Sequence, residues 1–127
     1  MKSSERKQII EHYINAYNRF DVDGMLTNLH DDIVFENISN GQVDLSLQGK
    51  AAFRVQAEQA ATYFSQRQQS ITSWKMSEQQ VGIEIDYEGT FAQDMPNGAK
   101  KGDILKLKGS STFLFQEDLI IRIEDKS

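Results

Sequence analysis

The sequence predicts an α+β domain whose helices cover one face of a curved sheet. Two observations carry this. Apolar residues recur at helical spacing in the first third and again around residues 50–67, and beyond Gln68 the period changes to two and stays there. The order of elements is helix, helix, strand, strand, helix and then four strands, which suits helices packed on a sheet. At 127 residues the chain is expected to form one domain, residues 1–127, burying roughly two-thirds of its unfolded surface.

Ile9, Ile10, Tyr13, Ile14, Ala16, Tyr17 and Phe20 form one apolar stripe and predict a helix near 4–19. Asp21 can cap a short second helix by accepting from the backbone N–H of Asp23 or Gly24. Val22, Met25, Leu26 and Leu29 give that helix its buried face, and Asp31-Asp32 is expected to end it. Ile33-Val34-Phe35 is β-branched and aromatic, the character of a strand. Ser39-Asn40-Gly41 reads as a turn before a short strand in which Val43, Leu45 and Leu47 alternate. Gly49 opens the longest helix, about 50–67, with Phe53, Ala57, Ala60, Ala61 and Phe64 on one side. Ile71–Met76, Val81–Phe91, Ile104–Phe115 and Leu119–Asp125 then read as four antiparallel strands, with turn chemistry at Pro96-Asn97-Gly98 and Gln116-Glu117-Asp118.

Composition excludes several classes of function. Lys and Arg number 14 against 19 Asp and Glu, a net charge of -5, so no cationic surplus is available for nucleic acid. No run approaches the ~18 apolar residues that span a bilayer, and the first ten residues lack the apolar segment of a signal peptide. A cytoplasmic location is expected. Without cysteine there is no thiol nucleophile, disulfide or thiolate zinc site. GxSxG, P-loop, GxGxxG and HExxH patterns are all missing, so no cofactor is implied. His12 and His30 are 18 residues apart without a carboxylate pattern, too few ligands for catalytic zinc. They read instead as a solvent-facing side chain and a helix-end residue.

Two polar residues continue apolar stripes. Alternation places Ile33, Phe35 and Asn37 on one strand face, so Asn37 either presents its amide to a largely apolar interior or starts the following turn. A buried, unpaired amide would cost about 1–3 kcal/mol and should therefore hold a partner, water or ligand. Leu119, Ile121, Ile123 and Asp125 share another face, with the first three expected to be buried. Asp125 is then either a desolvated carboxylate with a raised pKa, suited to act as a base, or a frayed, solvated one near the chain end. Glu84, Asp86 and Glu88, facing Lys106 and Lys108, read as an outward charge ladder, with Glu84 or Asp86 pointing into a cavity as the alternative. Trp74, Phe91, Phe113 and Phe115 read as core or dimer contact. Tyr13, Tyr17, Tyr63 and Tyr87 read as core too, each phenol marking a polar spot that needs a partner.

The run from Tyr13 to Leu26, then His30-Asp-Asp-Ile-Val-Phe-Glu-Asn37, resembles the start of SnoaL-like and ketosteroid-isomerase-like proteins of the nuclear transport factor two-like superfamily. Leu47-Gln-Gly-Lys-Ala-Ala-Phe-Arg54 resembles that family's glycine-led entry into its long helix, and Phe113-Leu-Phe115 with Ile120 to Asp125 its closing hairpin. The resemblance spans essentially the whole chain. It implies a cone-shaped, cystatin-like α+β barrel, a curved antiparallel or mixed sheet wrapped around helices, with a deep pocket and usually in a homodimer. Tyr13 falls where ketosteroid isomerases hold the tyrosine that donates to the enolate oxygen. Asn37 falls on their aspartate base and Ser111 roughly on their second, proton-donating aspartate, so steroid isomerase chemistry is not expected. Limonene-epoxide hydrolases use a Tyr-x-Asn pair and a late-strand aspartate. Phe35-Glu36-Asn37 keeps the asparagine, Asp125 fits the aspartate, and Glu84-Ile85-Asp86 lacks the arginine of their Arg-x-Asp pair. SnoaL-type cyclases also use a late-strand aspartate, which Asp125 resembles.

The expectation is acid/base chemistry (isomerisation, cyclisation or hydration) on a small apolar or polycyclic ligand. Asp125 would be the base, Asn37 would orient water or a carbonyl, and Tyr13 would donate to developing charge. Tyr17, Phe20, Phe35, Phe53, Tyr63, Tyr87, Ser111 and Phe113 would line the pocket. The alternatives are a ligand-binding module without turnover and a dimeric scaffold with a filled interior.

Overall fold

The computed structural model describes residues 2–127. Helices α1 (Ser3–Asn18) and α2 (Val22–Leu26) precede strands β1 (Leu29–Ser39) and β2 (Gln42–Gln48). Helix α3 (Lys50–Ala61) leads into β3 (Phe64–Met76), β4 (Gln80–Phe91), β5 (Ile104–Gln116) and β6 (Leu119–Lys126). All six strands form one curved sheet in the order β2-β1-β6-β5-β4-β3, left open because its edges β2 and β3 do not pair. β1 and β6 run parallel, and every other neighbouring pair is antiparallel.

Asp21 caps α2 through its carboxylate, which accepts from the Gly24 N–H at 2.9 Å. A side chain at position 24 would run into that carboxylate, so the cap requires glycine here. Asp31-Asp32 does not end the helix. The helix stops at Leu26, and both acids, with His30, already lie in β1. There the His30 Nδ1 accepts from the Asp32 N–H at 3.0 Å, so His30 is a strand residue and not a helix-end one. His12 is solvent-exposed on α1.

The third helix is shorter than its composition suggests. It ends at Ala61, where the Thr62 hydroxyl turns back to donate to the Gln59 carbonyl at 2.7 Å. Thr62-Tyr63-Phe64 favours extended backbone, and pairing of Phe64 with Phe91 draws the next residues into β3. Arg67 and Gln69 therefore belong to the sheet. No helix among the described residues is long and apolar enough to cross a membrane.

Three clamps hold α1 against β3 and β4. The Arg6 guanidinium donates to the carbonyls of Ser77 (2.9 Å) and Glu78 (3.1 Å) in the β3–β4 turn. At the other end, Asn18 Nδ2 donates to the Gln69 carbonyl (3.1 Å) while its Oδ1 accepts from the Gln69 N–H (2.8 Å). Arg67 Nε donates to the Tyr17 carbonyl at 2.9 Å, placing a cation at the negative end of the helix. The core between helices and sheet includes Ile10, Ile14, Leu29, Ile33, Phe53, Val81, Phe113, Ile120 and Ile123.

The charge ladder faces outward. Lys106 pairs with Glu88 at 3.3 Å and Lys108 with Asp86 at 2.9 Å, and all four residues are exposed together with Glu84. Phe91 and Phe113 are buried, and Trp74 and Phe115 pack partly buried against the core. Since Phe113 is 0% exposed, Phe113→Ala should cost about 3–5 kcal/mol of unfolding free energy, read from urea denaturation.

Candidate functional site

The last strand contains the irregularity that builds the site. Arg122 pairs with Leu114 on β5 and Ile120 with Phe115, leaving Ile121 as an extra residue without a partner on β5. The stripe therefore shifts. Ile120 and Ile123 are the residues at 0% exposure, whereas Leu119 and Ile121 are only half-buried, so the expected burial of Leu119, Ile121 and Ile123 together does not occur. Past the bulge, alternation resumes and Asp125 points inward with Ile123.

Asp125 sits between Asn37 on β1 and Ser111 on β5, its register partners on either side. The strand does not fray, because the Ser127 N–H donates to the Ile38 carbonyl at 3.0 Å. Buried Ser111 donates its hydroxyl to Asp125 Oδ1 at 2.6 Å. Although the residue as a whole keeps some exposure, its carboxyl is enclosed by the cavity wall. Enclosure therefore governs its ionisation: burial pushes the carboxyl from its ordinary 3.8 up to about 6, against the opposing pull of the Ser111 hydrogen bond. Gly109 allows this arrangement, since a Cβ there would lie 2.8 Å from the Lys126 carbonyl oxygen and push β6 away.

These groups border a cavity of about 420 Å³ between α1, α3 and the sheet. Tyr13, Tyr17, Phe35, Asn37, Phe53, Tyr87, Ser111 and Asp125 line it. Phe20, Tyr63 and Phe113 do not. Phe20, with φ +61°, turns its ring beneath the Arg67 guanidinium, and the half-buried Tyr63 precedes β3. Phe113 is core, set edge-on to Tyr13 with ring centroids 5.9 Å apart. The Asn37 amide is already engaged, donating to Asp44 at 2.9 Å and Ser39 at 3.5 Å. Tyr13, buried between Phe53 and Phe113, has no hydrogen-bond partner for its hydroxyl among the described residues. Its pKa is driven well above the ordinary phenol value, first by burial and then by the Asp125 charge.

Farther along the cavity, the hydroxyls of Tyr17 and Tyr87 meet at 3.0 Å. Behind the Tyr17 ring lies Arg67, its guanidinium 3.7 Å from the ring centroid and the residue only 5% exposed. In a helix reaching residue 67, Arg67 would sit at the helix end, and Gln56, Gln69, Leu105 and Leu107 in the wall carry no signal of their own in the sequence. Beginning β3 at Phe64 would have revealed it, because alternation then sends Arg67, Gln69 and Ile71 to one face. Among the described residues, no group of three or more His, Asp or Glu side chains is placed to hold a metal ion.

A family model for the SnoaL-like domain matches residues 10–123. The chain belongs to the SnoaL-like family. No curated protein sequence matches this SnoaL-like chain. Among solved structures, it is similar to a candidate polyketide cyclase from Xanthomonas campestris pv. campestris, at TM-score 0.82 and 22% identity over 98% of this chain and 90% of that one. AclR, a candidate hydroxylase from Streptomyces galilaeus, aligns at 0.78 and 19% over 98% and 89%. An uncharacterised cystatin-fold protein from Novosphingobium aromaticivorans aligns at 0.71 and 19% over 93% and 94%. At these identities the likeness establishes a shared fold.

The raised Asp125 pKa has a measurable consequence for stability. The native state holds the proton more tightly than the unfolded chain, so this contribution to stability is full below about pH 4 and is lost as pH rises through about 6. The loss amounts to about 3 kcal/mol for a shift of this size. Asp125→Asn, which carries no charge, should be about 1–3 kcal/mol more stable than the natural chain at pH 8. Urea unfolding at a series of pH values should show the two curves converging below about pH 4.

Proposed function

We propose that this SnoaL-like protein binds a small, largely apolar molecule in the cavity and performs proton-transfer chemistry on it. Asp125 is the base and Tyr13 the donor to developing negative charge. The observation that carries this reading is the enclosed Asp125 carboxyl, held by one hydroxyl at the wall of a mostly carbon-lined hollow. A carboxylate with a pKa near 6 is a stronger base than a solvated one and is still ionised at neutral pH. Tyr13 keeps its proton at that pH and has it free to give, which suits stabilisation of an enolate-like oxygen. The reaction class is isomerisation, cyclisation or hydration. Similarity to a candidate polyketide cyclase is consistent with carbonyl substrates having acidic C–H bonds.

Asn37 contributes less than its position suggests. Its Nδ2 is committed to Asp44 and Ser39, so it supports the β1–β2 wall rather than presenting that donor to a substrate. That commitment favours, as a second reading, a module that holds its ligand without turnover. A scaffold with a filled interior is less consistent with 420 Å³ of space, which lies within the usual range of ligand pockets, about 300–1,000 Å³.

Exchange of the α-protons of 2-tetralone into deuterated water, followed by proton NMR, separates the readings. An active base should accelerate exchange above the buffer rate, with the rate rising through about pH 6 to a plateau. Asp125→Asn should lower the acceleration about 10²–10⁴-fold, the worth of one positioned base. Acceleration that survives in the variant would exclude Asp125, and binding without acceleration would leave the ligand-holding module.

A further inference from the structure

Arg67 is a buried cation without a carboxylate. Among the described residues it forms no ion pair, and its Nη2 is enclosed without any hydrogen-bond partner. A buried charge is costly unless compensated, and here the compensation comes from the Tyr17 carbonyl and the faces of Tyr17 and Phe20. Clamping the end of α1 does not require a full positive charge, since Asn18 already ties it to β3 through two hydrogen bonds. Arg67 itself does not line the cavity, whereas Tyr17 does, and its hydroxyl meets that of Tyr87. Two hydroxyls in contact use one proton between them. The second remains available to a ligand, in a field made positive by the guanidinium behind the ring.

This pair lies at a distance from the proposed base. Tyr87 pairs with Leu107 on β5, whereas Ile83 pairs with Ser111, the residue that holds Asp125. Four residues of strand separate them, about 13 Å at Cα level. Leu105, Leu107, Ile85, Phe53 and Phe64 provide apolar wall between and around the two polar places.

We propose that Tyr17 and Tyr87, backed by Arg67, form an acceptor-binding subsite at the far end of the cavity from Asp125. It would take the carbonyl, enol or phenol oxygen of an elongated, fused-ring ligand. The inference rests on the reading of the cavity as a ligand site and adds a polarity to it: the far oxygen is anchored, and its anchorage decides which carbon meets Asp125. Arg67 is a positioning residue that acts through Tyr17. Burial pushes the phenols of Tyr17 and Tyr87 up, the Arg67 charge draws both toward lower pKa, and at Tyr17 the Asp125 charge adds a smaller upward push.

A matched pair of probes tests this on the full chain: 2-acetylnaphthalene and 2-isopropylnaphthalene, similar in size and branching and differing in the carbonyl. The natural protein should bind the ketone about tenfold more tightly than the hydrocarbon, the worth of one well-made hydrogen bond. The infrared carbonyl stretch of bound ketone should fall below its value in hexane. Tyr17→Phe and Tyr87→Phe keep both rings, so hydrocarbon affinity should stay within about twofold while the ketone preference drops to about threefold or less. Arg67→Met should reduce the preference and the infrared shift, and Arg67→Lys should restore part of both. A preference and carbonyl shift unchanged by the two tyrosine variants would overturn the subsite while leaving the cavity reading intact. Equal binding of both probes by the natural protein would do the same. Binding of neither probe would remove the cavity reading, and the subsite with it.

Discussion

The site depends on how the final strand is held. β6 lies between β1, parallel to it, and β5, antiparallel to it, and carries one extra residue at Ile121. That bulge lets Ile120 and Ile123 both fill the core without reversing the face on which Asp125 emerges. Neighbouring strands on both sides hold the carboxyl in place, and the Ser127–Ile38 hydrogen bond keeps the strand end paired. A one-residue slip in this register would send Asp125 to the outer face and break its contact with Ser111.

Electrostatically the cavity has two unlike ends. At one, a carboxylate is desolvated and bonded by a single hydroxyl, with a phenol nearby that has no hydrogen-bond partner among the described residues. At the other, two phenols meet in front of a buried guanidinium that has no carboxylate partner among the described residues. Clamps from Arg6, Asn18 and Arg67 fix the helix that supplies Tyr13 and Tyr17, so side chains from opposite sides of the cavity are held in one arrangement.

Much of this was legible in the sequence, because strong periodicity leaves little choice. The α1 stripe, the Asp21 cap and the alternation in the last three strands each pointed to the observed element. Asn37 and Asp125 were recognisable as polar residues continuing apolar stripes, and they are register partners. The failures fall where local preference competes with distant pairing. Alanine-rich α3 looked longer because Gln66–Gln69 favours neither state strongly, and only pairing with β4 converts it to strand. Arg67 was hidden by that misplacement. The bulge at Ile121 carries no glycine or proline to mark it, so strict alternation mis-set Leu119 and Ile121. Phe20, Tyr63 and Phe113 were expected to line the pocket, whereas Phe20 packs beneath Arg67, Tyr63 lies before β3, and Phe113 fills the core, the place its alternative reading gave it.

All of this rests on an Asp125 carboxyl that is desolvated within the hollow it borders. The most direct measurement is the pH titration of its carboxyl carbon-13 chemical shift, assigned by comparison with Asp125→Asn. A midpoint near 6 is expected. A midpoint near 3.9, the value of a solvated aspartate, would contradict it.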